Sequence, residues 1–360
     1  MKKASKPVRV ALIGVGGIAQ QFHLNSFTSM EDQCEVVALS DVADKTLKEM
    51  GKKYSVDALY SDFKKMLKEQ KPDAVIISTP NALHCKIACA CIKAGSHVFI
   101  EKPMAINAEE CKTILRTAKK EDRIVQIALQ WRFLGATSFL KQFIDSGKFG
   151  DVYFARAQAL RRRGVPTWGV FIDKEKQGGG PLIDIGVHIL DLTLYLMGYP
   201  KPVSVSAQTW NALGTDPQLY NRWGDYDRKA FTVEDFAVGF IRFENGAVVS
   251  LESSFMANLE DDPFATQLFG TKAGAVVKPF DAQPLEIYTE IDRQLFDLKP
   301  RNLPDLPSPY LAEARAFVEA VATGKESPVP GEQGLILNAI FDAMYASSET
   351  GKEQLVDISL

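Results

Sequence analysis

The chain has 360 residues, of which 46% are hydrophobic and 24% are charged, values typical of a globular protein with two domains. Lys and Arg (42) nearly balance Asp and Glu (45), so the net charge of −3 gives no reason to expect nucleic acid or an anionic membrane as a partner. The sequence has no run of 18 apolar residues, and its five cysteines are scattered and odd in number. We therefore expect a cytoplasmic protein without a membrane span or a disulfide framework.

The first 130 residues alternate between strand and helix patterns. Short apolar runs predict strands at 8–13, 35–40, 74–78, 97–100 and 124–128. Helical patterns between them cover 17–30, 44–53, 82–93 and 107–121. This alternation predicts an α/β fold with a doubly wound parallel sheet.

The pattern changes after residue 130, so we predict two domains, 1–130 and 131–360. A helix at 137–146, a strand at 151–160 and a helix at 181–197 are followed by several strands between 203 and 288. Asn245-Gly246 separates two of these strands and is a strong hairpin signal, so this second sheet is predicted to be mainly antiparallel. Helices at 310–323 and 332–348 follow a proline-containing linker at 301–309.

A glycine-rich turn follows the first predicted strand and opens a helix. Its residues match the G-x-G-x-x-A pattern of dinucleotide-binding proteins: Gly14, Val15, Gly16, Gly17, Ile18 and Ala19. Asp41 ends the second strand, where a carboxylate accepts hydrogen bonds from the ribose hydroxyls of adenosine and repels a 2′-phosphate. We therefore predict NAD as the cofactor, with NADP less favoured because only Lys45 is nearby to receive a phosphate.

Polar residues also follow the next two buried strands. Thr79, Asn81 and His84 follow the strand at 74–78; Asn81 is a suitable N-cap, and His84 belongs in the first helical turn. Glu101 and Lys102 follow the strand at 97–100, and Pro103 ends it. Ligands of open α/β sheets bind outside the carboxyl ends of the strands, so Lys102 is a candidate for meeting a bound substrate, although an ion pair at a strand end is an equal alternative.

An Asp-x3-His pair lies in the predicted helix 181–197, just after three consecutive glycines. On a continuous helix Asp184 and His188 stand four residues apart and share one face, and burying this pair among apolar residues would tune the histidine pKa. Asp191 continues the face, and we interpret it as structural.

These residues suffice for hydride chemistry without a metal. Oxidation of a secondary alcohol needs a nicotinamide to take the hydride and a base to take the hydroxyl proton, and a lysine, a histidine and an orienting aspartate supply the second part. Cys85, Cys89 and Cys91 do not share one helical face, so we predict no metal site.

Taken together, these motifs resemble the Gfo/Idh/MocA oxidoreductase family, and the resemblance covers nearly the whole chain. It rests on five segments: 14–19, 79–84, 101–103, 179–188 and 341–347. The resemblance implies a Rossmann domain followed by an α+β domain with an open, mainly antiparallel sheet that binds substrate and commonly mediates oligomers.

The resemblance also implies roles for individual residues. Lys102, Asp184 and His188 form the catalytic or substrate-orienting set, and Glu101, Thr79, Asn81 and His84 line the nicotinamide side. Relatives differ in whether the lysine or the histidine is the base. We favour His188 as acid/base, Asp184 as the residue that orients either His188 or the substrate, and Lys102 as the group that binds and polarises the reacting oxygen.

The resemblance implies a sugar, a sugar derivative or an inositol as substrate. We expect additional contacts from Arg132, Arg163 and Trp168, and the segment 161–168 is the preferred specificity loop. Its three arginines weakly favour an acidic or phosphorylated sugar.

Two further functions stay open at this point. One is a redox-neutral glycosidase that oxidises its substrate transiently with bound NAD; the other is a catalytically silent sensor of sugar or nucleotide. We expect a homodimer or homotetramer because an open sheet needs a partner to cover it.

Overall fold

A computed structural model describes residues 6–360, which divide into two compact units. The first unit contains residues 6–130 and Pro307–Leu335, and the second contains Trp131–Leu306 and Ile336–Ser359. Residues 307–335 group with the first unit instead of with the rest of 131–360.

The elements are numbered in chain order through both units. The strands are β1 Val8–Ile13, β2 Cys34–Ser40, β3 Leu59–Tyr60, β4 Ala74–Ile77, β5 His97–Ile100, β6 Val125–Ile127, β7 Val152–Leu160, β8 Pro202–Trp210, β9 Phe236–Phe243, β10 Val248–Ser254, β11 Phe264–Gly270, β12 Ala273–Val277, β13 Leu285–Ile291, β14 Gln294–Leu298 and β15 Gln354–Leu355. The helices are α1 Leu24–Thr28, α2 Asp44–Tyr54, α3 Phe63–Gln70, α4 His84–Lys93, α5 Ala108–Glu121, α6 Gly135–Asp145, α7 Lys174–Gln177, α8 Pro181–Asp184, α9 Gly186–Leu196, α10 Pro309–Thr323 and α11 Gly331–Thr350.

The first unit is built on a six-stranded parallel sheet in the order β3-β2-β1-β4-β5-β6. The chain runs outward from β1 to β3, then returns beside β1 with β4 and runs outward on the other side. The strands β4 and β5 are apolar and almost entirely buried, as expected for strands covered on both faces. The carboxyl ends of β1 and β4 therefore form the switch point at which such sheets bind ligands.

Residues 307–335 belong to the first unit because they complete its core. The ring of Phe317 on α10 meets the ring of Phe99 on β5 edge-on, with 5.4 Å between centroids. The fully buried Glu313 accepts a hydrogen bond from the backbone amide of Leu129, and Ser327 donates one to Gln126 of β6 (2.7 Å). These contacts join segments far apart in the sequence.

The second unit contains a nine-stranded sheet in the order β14-β13-β12-β11-β7-β10-β9-β8-β15. Its pairs are antiparallel except for β7 and β10, which confirms the predicted α+β domain with a mainly antiparallel sheet. The predicted Asn245-Gly246 hairpin joins β9 and β10. Helix α9 packs on one face of β7, where alternate alanines are buried.

Four predicted helices differ from those in the structure. Segment 17–30 is a π-helical turn, Ala19–His23, followed by α1, and segment 82–93 begins with a 3-10 turn, Asn81–Leu83, for which Pro80 and not Asn81 is the N-cap residue. Segment 181–197 is two helices, α8 and α9, and segment 332–348 extends over Gly331–Thr350. The sequence analysis missed β3, α3, α7, β14 and β15.

Among the described residues, no single helix has the length and apolar composition to cross a membrane; the bent pair Lys174–Asp184 and Gly186–Leu196 meets that test by length and composition only.

Candidate active site

The glycine turn after β1 requires its first glycine. Gly14 has a φ of +88°, and a Cβ at this position would lie 2.6 Å from the carbonyl oxygen of Ser78 after β4. A Cβ on Gly16 or Gly17 would meet nothing within 4 Å, so the backbone is open to a ligand at these two exposed positions. Ile18 is half-buried and Ala19 is buried where the π-helical turn begins.

Asp41 lies beside this turn and is held by two backbone amides. Its Oδ2 accepts a hydrogen bond from Val15 (2.8 Å), and its Oδ1 accepts one from Ala43 (2.8 Å). The next side chain, Val42, is 91% exposed and uncharged. The glycine turn, the open backbone and the carboxylate thus fit the pyrophosphate and ribose of a dinucleotide.

His84 ties together the loops that follow β4 and β5. Its Nε2 lies 2.8 Å from the carbonyl oxygen of Thr79, and its Nδ1 lies 3.0 Å from that of Pro103. The ring is fully buried, and this burial lowers the pKa of His84, opposed by the two carbonyl hydrogen bonds and by the charge of Glu101. His84 therefore holds the two loops together, whereas the sequence analysis placed it on the nicotinamide side.

Glu101 is the buried centre of the loop after β5. Its Oε1 lies 2.6 Å from Nε2 of His23, and its Oε2 accepts a hydrogen bond from the backbone amide of Lys102 (3.1 Å). Lys102 itself is half-buried, and Asn81 is buried at the start of the neighbouring turn. The partner of Glu101, His23, was not identified from the sequence.

Tyr310 comes from α10 and shares this environment. Its ring stacks on that of Phe22 with 3.7 Å between centroids, and its hydroxyl accepts a hydrogen bond from Gln130 (3.1 Å). Burial and the negative charge of Glu101 raise the pKa of Tyr310 to about 12, so the phenol stays protonated at neutral pH. No sequence pattern linked Tyr310 to Glu101, because the two lie more than 200 residues apart.

In the second unit, the predicted Asp-x3-His helix is broken at Ile185. Asp184 is the last residue of α8, His188 lies in the first turn of α9, and the segments on either side of the break are inclined by 48°. The argument that an unbroken helix puts both side chains on one face was therefore wrong. Gly186, which begins α9, was the available signal for the break.

Each member of the pair has its own partner. Asp184 is buried, and its Oδ2 lies 3.9 Å from Nη1 of Arg161. The half-buried ring of His188 stacks on the ring of Trp131, with 4.9 Å between centroids and 27° between planes. Burial lowers the pKa of Arg161, and the negative charge of Asp184 opposes this shift. The ion pair therefore offsets part of the desolvation of the guanidinium.

A buried carboxylate that the sequence analysis missed holds α8 in place. Glu234 accepts hydrogen bonds from the backbone amides of Gly180 (2.9 Å) and Leu182 (3.1 Å) and from the hydroxyl of Tyr345 (3.0 Å). A Cβ on Gly180 would lie 2.3 Å from the Glu234 carbonyl oxygen, so the glycines before α8 serve close packing here. We call these contacts the Glu234 clamp.

Two of the predicted substrate residues are engaged within the protein. The buried Arg132 pairs with Asp191 through Nε (3.0 Å to Oδ2) and Nη2, and Nη2 also donates to Tyr199 (2.9 Å). Asp191 is thus structural, as interpreted from the sequence. Arg163 donates to the backbone carbonyls of its neighbour and of Ala257 (2.9 Å).

The third predicted substrate residue, Trp168, is 54% exposed. Within the arginine run at 161–163, it is Arg161 that faces Asp184. The sequence analysis did not distinguish Arg161 from the two arginines that follow it. No three His, Cys, Asp or Glu side chains within residues 6–360 are grouped so as to hold a metal ion.

Profiles of one protein family match both units. Residues 8–129 match the description "Oxidoreductase family, NAD-binding Rossmann fold", and residues 138–276 match "GFO/IDH/MocA C-terminal domain". These two matches cover more than half of the chain.

Individual relatives match over almost their whole lengths. The D-glucoside 3-dehydrogenase of Escherichia coli is 36% identical over 98% of this chain and 99% of its own. The myo-inositol 2-dehydrogenase of Thermotoga maritima is 26% identical over 91% of this chain and 92% of its own. Among solved structures, a levoglucosan dehydrogenase in complex with NADH has the same fold, with a TM-score of 0.85, 23% identity, and coverage of 98% of this chain and 100% of its own.

Proposed function

The chain belongs to the GFO/IDH/MocA family of oxidoreductases with an NAD-binding Rossmann fold, and from this premise we propose that it is an NAD-dependent dehydrogenase of a sugar hydroxyl, with a D-glucoside as the preferred substrate. The observation that carries the proposal is the arrangement of Gly14, Asp41 and the Glu101-Lys102-Pro103 loop at the carboxyl ends of β1, β2 and β5 of one parallel sheet. The name of the 36%-identical relative supports a glucoside over an inositol, because the inositol dehydrogenase is only 26% identical.

Gly14, Gly16, Gly17 and Asp41 would hold the dinucleotide. The nicotinamide, when bound, accepts or returns the hydride. Asp41 favours NAD over NADP because its carboxylate repels a 2′-phosphate and the following residues, Val42 and Ala43, offer no positive charge. Its two amide hydrogen bonds keep the carboxylate oriented before a ligand arrives.

We assign the proton transfer to His188 and the polarisation of the reacting oxygen to Lys102. Stacking on Trp131 restricts the imidazole plane of His188, which supports a fixed direction for proton transfer. Asp184, paired with Arg161, orients the substrate hydroxyls. The hydrogen bond from the Lys102 amide to the buried Glu101 fixes the backbone that carries the lysine.

The contacts described above revise the substrate set. Arg132 leaves it because its guanidinium is buried and paired with Asp191. Arg161 joins it, and Arg163 and Trp168 stay. Thr79, Asn81 and Glu101 stay on the cofactor side, whereas His84 acts as a positioning residue.

Homodimer or homotetramer formation is part of the proposal. Phe240 of β9 and Trp210 of β8 are 39% and 44% exposed on the sheet of the second unit, which supports burial of this face against another copy. The molar mass in solution, measured by light scattering, distinguishes an oligomer from a monomer.

A turnover screen tests the function. Purified protein is given D-glucosides, free sugars and inositols with NAD or NADP in parallel, and nicotinamide reduction is followed by absorbance. We expect D-glucosides to reduce NAD at least tenfold faster than they reduce NADP.

Lys102→Ala and His188→Ala are each expected to lower kcat/KM by about 10²–10⁴-fold. His188→Gln should in addition remove the acidic limb of the pH profile.

Lys86→Ala, at an exposed position on α4, is the matched control and should behave like the wild type. Cleavage of a glycoside without net NADH would favour the redox-neutral glycosidase. Absence of any turnover, or full activity in both the Lys102 and His188 variants, would refute the dehydrogenase.

A further inference from the structure

Two loops of the second unit are joined into one rigid surface. The buried side chain of Asn221 accepts a hydrogen bond from the backbone amide of Val165 (2.9 Å) and donates to its carbonyl oxygen (3.0 Å). Thr167 donates to the carbonyl oxygen of Trp223 (3.0 Å), and Nε of Arg222 donates to that of Arg163 (2.7 Å). A loop pair with this many mutual hydrogen bonds is preorganised, in contrast to a mobile surface loop.

These loops present two exposed indole rings side by side. Trp168 is 54% exposed and Trp223 is 37% exposed; their ring centroids lie 5.0 Å apart and their planes meet at 64°. Two large aromatic rings that are exposed together and held in place by hydrogen-bonded loops indicate a binding surface. We call the two rings the tryptophan platform.

Arg161 connects the platform to Asp184. Its guanidinium lies 5.0 Å from the centroid of the Trp223 ring on one side and 3.9 Å from the Asp184 carboxylate on the other. The arginine side chain is 18% exposed, and its Nη1 also donates to the carbonyl oxygen of Gly164 (3.2 Å). Only the side chain of Arg161 therefore separates the tryptophan platform from a ligand that contacts Asp184.

The chemistry of this surface suits a second ring of the substrate. The apolar face of a pyranose or phenyl ring packs on indole, while donors at the edge of the indole bind hydroxyls or the glycosidic oxygen. Two guanidinium groups near the Trp223 ring, those of Arg161 and Arg222, provide such donors. A protein partner is less well matched, because the two rings meet at an angle and form a notch and not a flat apolar face.

We propose that the tryptophan platform is an aglycone subsite, so that the enzyme prefers glucosides with a ring as aglycone over methyl glucosides and free glucose. This inference rests on the proposed dehydrogenase function. It assigns to Trp168 the aglycone contact and to Trp223 the support of both the aglycone and Arg161.

The test compares phenyl and methyl D-glucosides of the same anomer. For the wild type we expect a lower KM for the phenyl glucoside. Trp168→Ala should raise that KM about three- to tenfold, the effect of losing one aromatic contact, and should raise the KM for methyl glucoside by a smaller factor, so that the preference for the phenyl glucoside falls. Trp168→Phe should restore most of the preference. Tyr220→Ala, which removes an exposed aromatic from the same loop region, is the matched control and should leave the KM ratio unchanged.

A binding measurement separates this inference from the function on which it rests. Addition of phenyl glucoside should change the intrinsic fluorescence of the wild type and of Tyr220→Ala, but the change should be much smaller in Trp168→Ala. Equal KM effects on both glucosides, or an undiminished fluorescence change in Trp168→Ala, would overturn the subsite. A lower molar mass of Trp168→Ala in solution would show that the platform contacts another copy instead, and would also overturn it. Lack of turnover by the wild type together with the expected fluorescence changes would refute only the dehydrogenase.

Discussion

At the scale of single residues, His84 shows how burial is used for positioning. Both of its ring nitrogens lie next to carbonyl oxygens, one from the loop after β4 and one from the loop after β5. A neutral imidazole donates to only one of the two, whereas a charged imidazole would donate to both but is disfavoured by complete burial. The net lowering of the pKa means that desolvation is the larger effect.

A pH dependence of stability follows for His84. Because its folded-state pKa is lowered from 6.5, the unfolded chain binds more protons between the folded value and 6.5, so this residue destabilises the fold as the pH falls below about 6.5. We expect His84→Gln to have a lower melting temperature at pH 7.5 but a smaller drop between pH 7.5 and pH 5.5 than the wild type. Thermal unfolding followed by circular dichroism at the two pH values measures both. An equal drop in melting temperature for the variant and the wild type would contradict the attribution of this pH dependence to His84.

Arginine 161 illustrates what a sequence alone leaves open at this scale. The run of three arginines predicted an anion or substrate contact somewhere in 161–168. The glycine turn and Asp41 are local signals, and the structure brings the Val15 amide within hydrogen-bond distance of the Asp41 carboxylate. Which arginine faces Asp184 depends on the direction of the backbone at the end of β7 and on a partner more than twenty residues away. No local pattern carries that information.

At the scale of elements, the Glu234 clamp determines where α8 begins. The carboxylate receives the amides of Gly180 and Leu182, which are among the first amides of the helix and have no partner within it. Tyr345 of α11 supplies a third hydrogen bond. Because Asp184 ends this four-residue helix, its position depends on the clamp and not on helix propensity, which is negligible at such a length.

Removal of the Tyr345 hydroxyl should weaken the clamp without creating a large cavity. We expect Tyr345→Phe to lower the free energy of unfolding by about 1.5–3 kcal/mol, the range for a hydrogen bond to a charged group. Urea denaturation provides the measurement, and Tyr153→Phe, at an exposed tyrosine of β7, is the control with no expected effect. Equal stability of Tyr345→Phe and wild type would show that the third hydrogen bond is dispensable.

The elements also differ in how well the sequence predicted them. Strands β1, β4 and β5 consist mainly of apolar residues and were predicted to within a residue. The break between α8 and α9 was missed because the apolar pattern continues through it. Ser253 of β10 donates a hydrogen bond to the carbonyl oxygen of Pro181 in α8 (2.7 Å), a long-range contact that no local pattern indicates.

At the scale of the whole molecule, the first unit is assembled from two separate stretches of chain. The sequence analysis predicted consecutive domains because the motifs change after residue 130, and nothing in the composition of 307–335 marks a return. The return is visible only in long-range contacts, namely those of Glu313 with Leu129 and of Phe317 with Phe99.

Residues 6–130 should therefore be unable to fold stably alone. We expect a fragment ending at residue 130 to lack a cooperative thermal transition, because it exposes the face of Phe99 and leaves the Leu129 amide without its carboxylate. The same fragment joined to residues 307–335 through a flexible linker should regain the transition, and Glu313→Ala should weaken it. Circular dichroism during heating measures all three, and a cooperative transition in the short fragment would contradict the expectation.

The return of residues 307–335 also imposes an order in time during synthesis. A ribosome adds roughly 5–20 residues per second, so about 10–40 s separate the appearance of β6 from that of the segment that completes its core. Throughout this interval the nascent Rossmann strands expose apolar surface, which makes them substrates for chaperones. Although its strands are translated first, the cofactor-binding unit is completed only after residues 131–306 of the second unit have been translated.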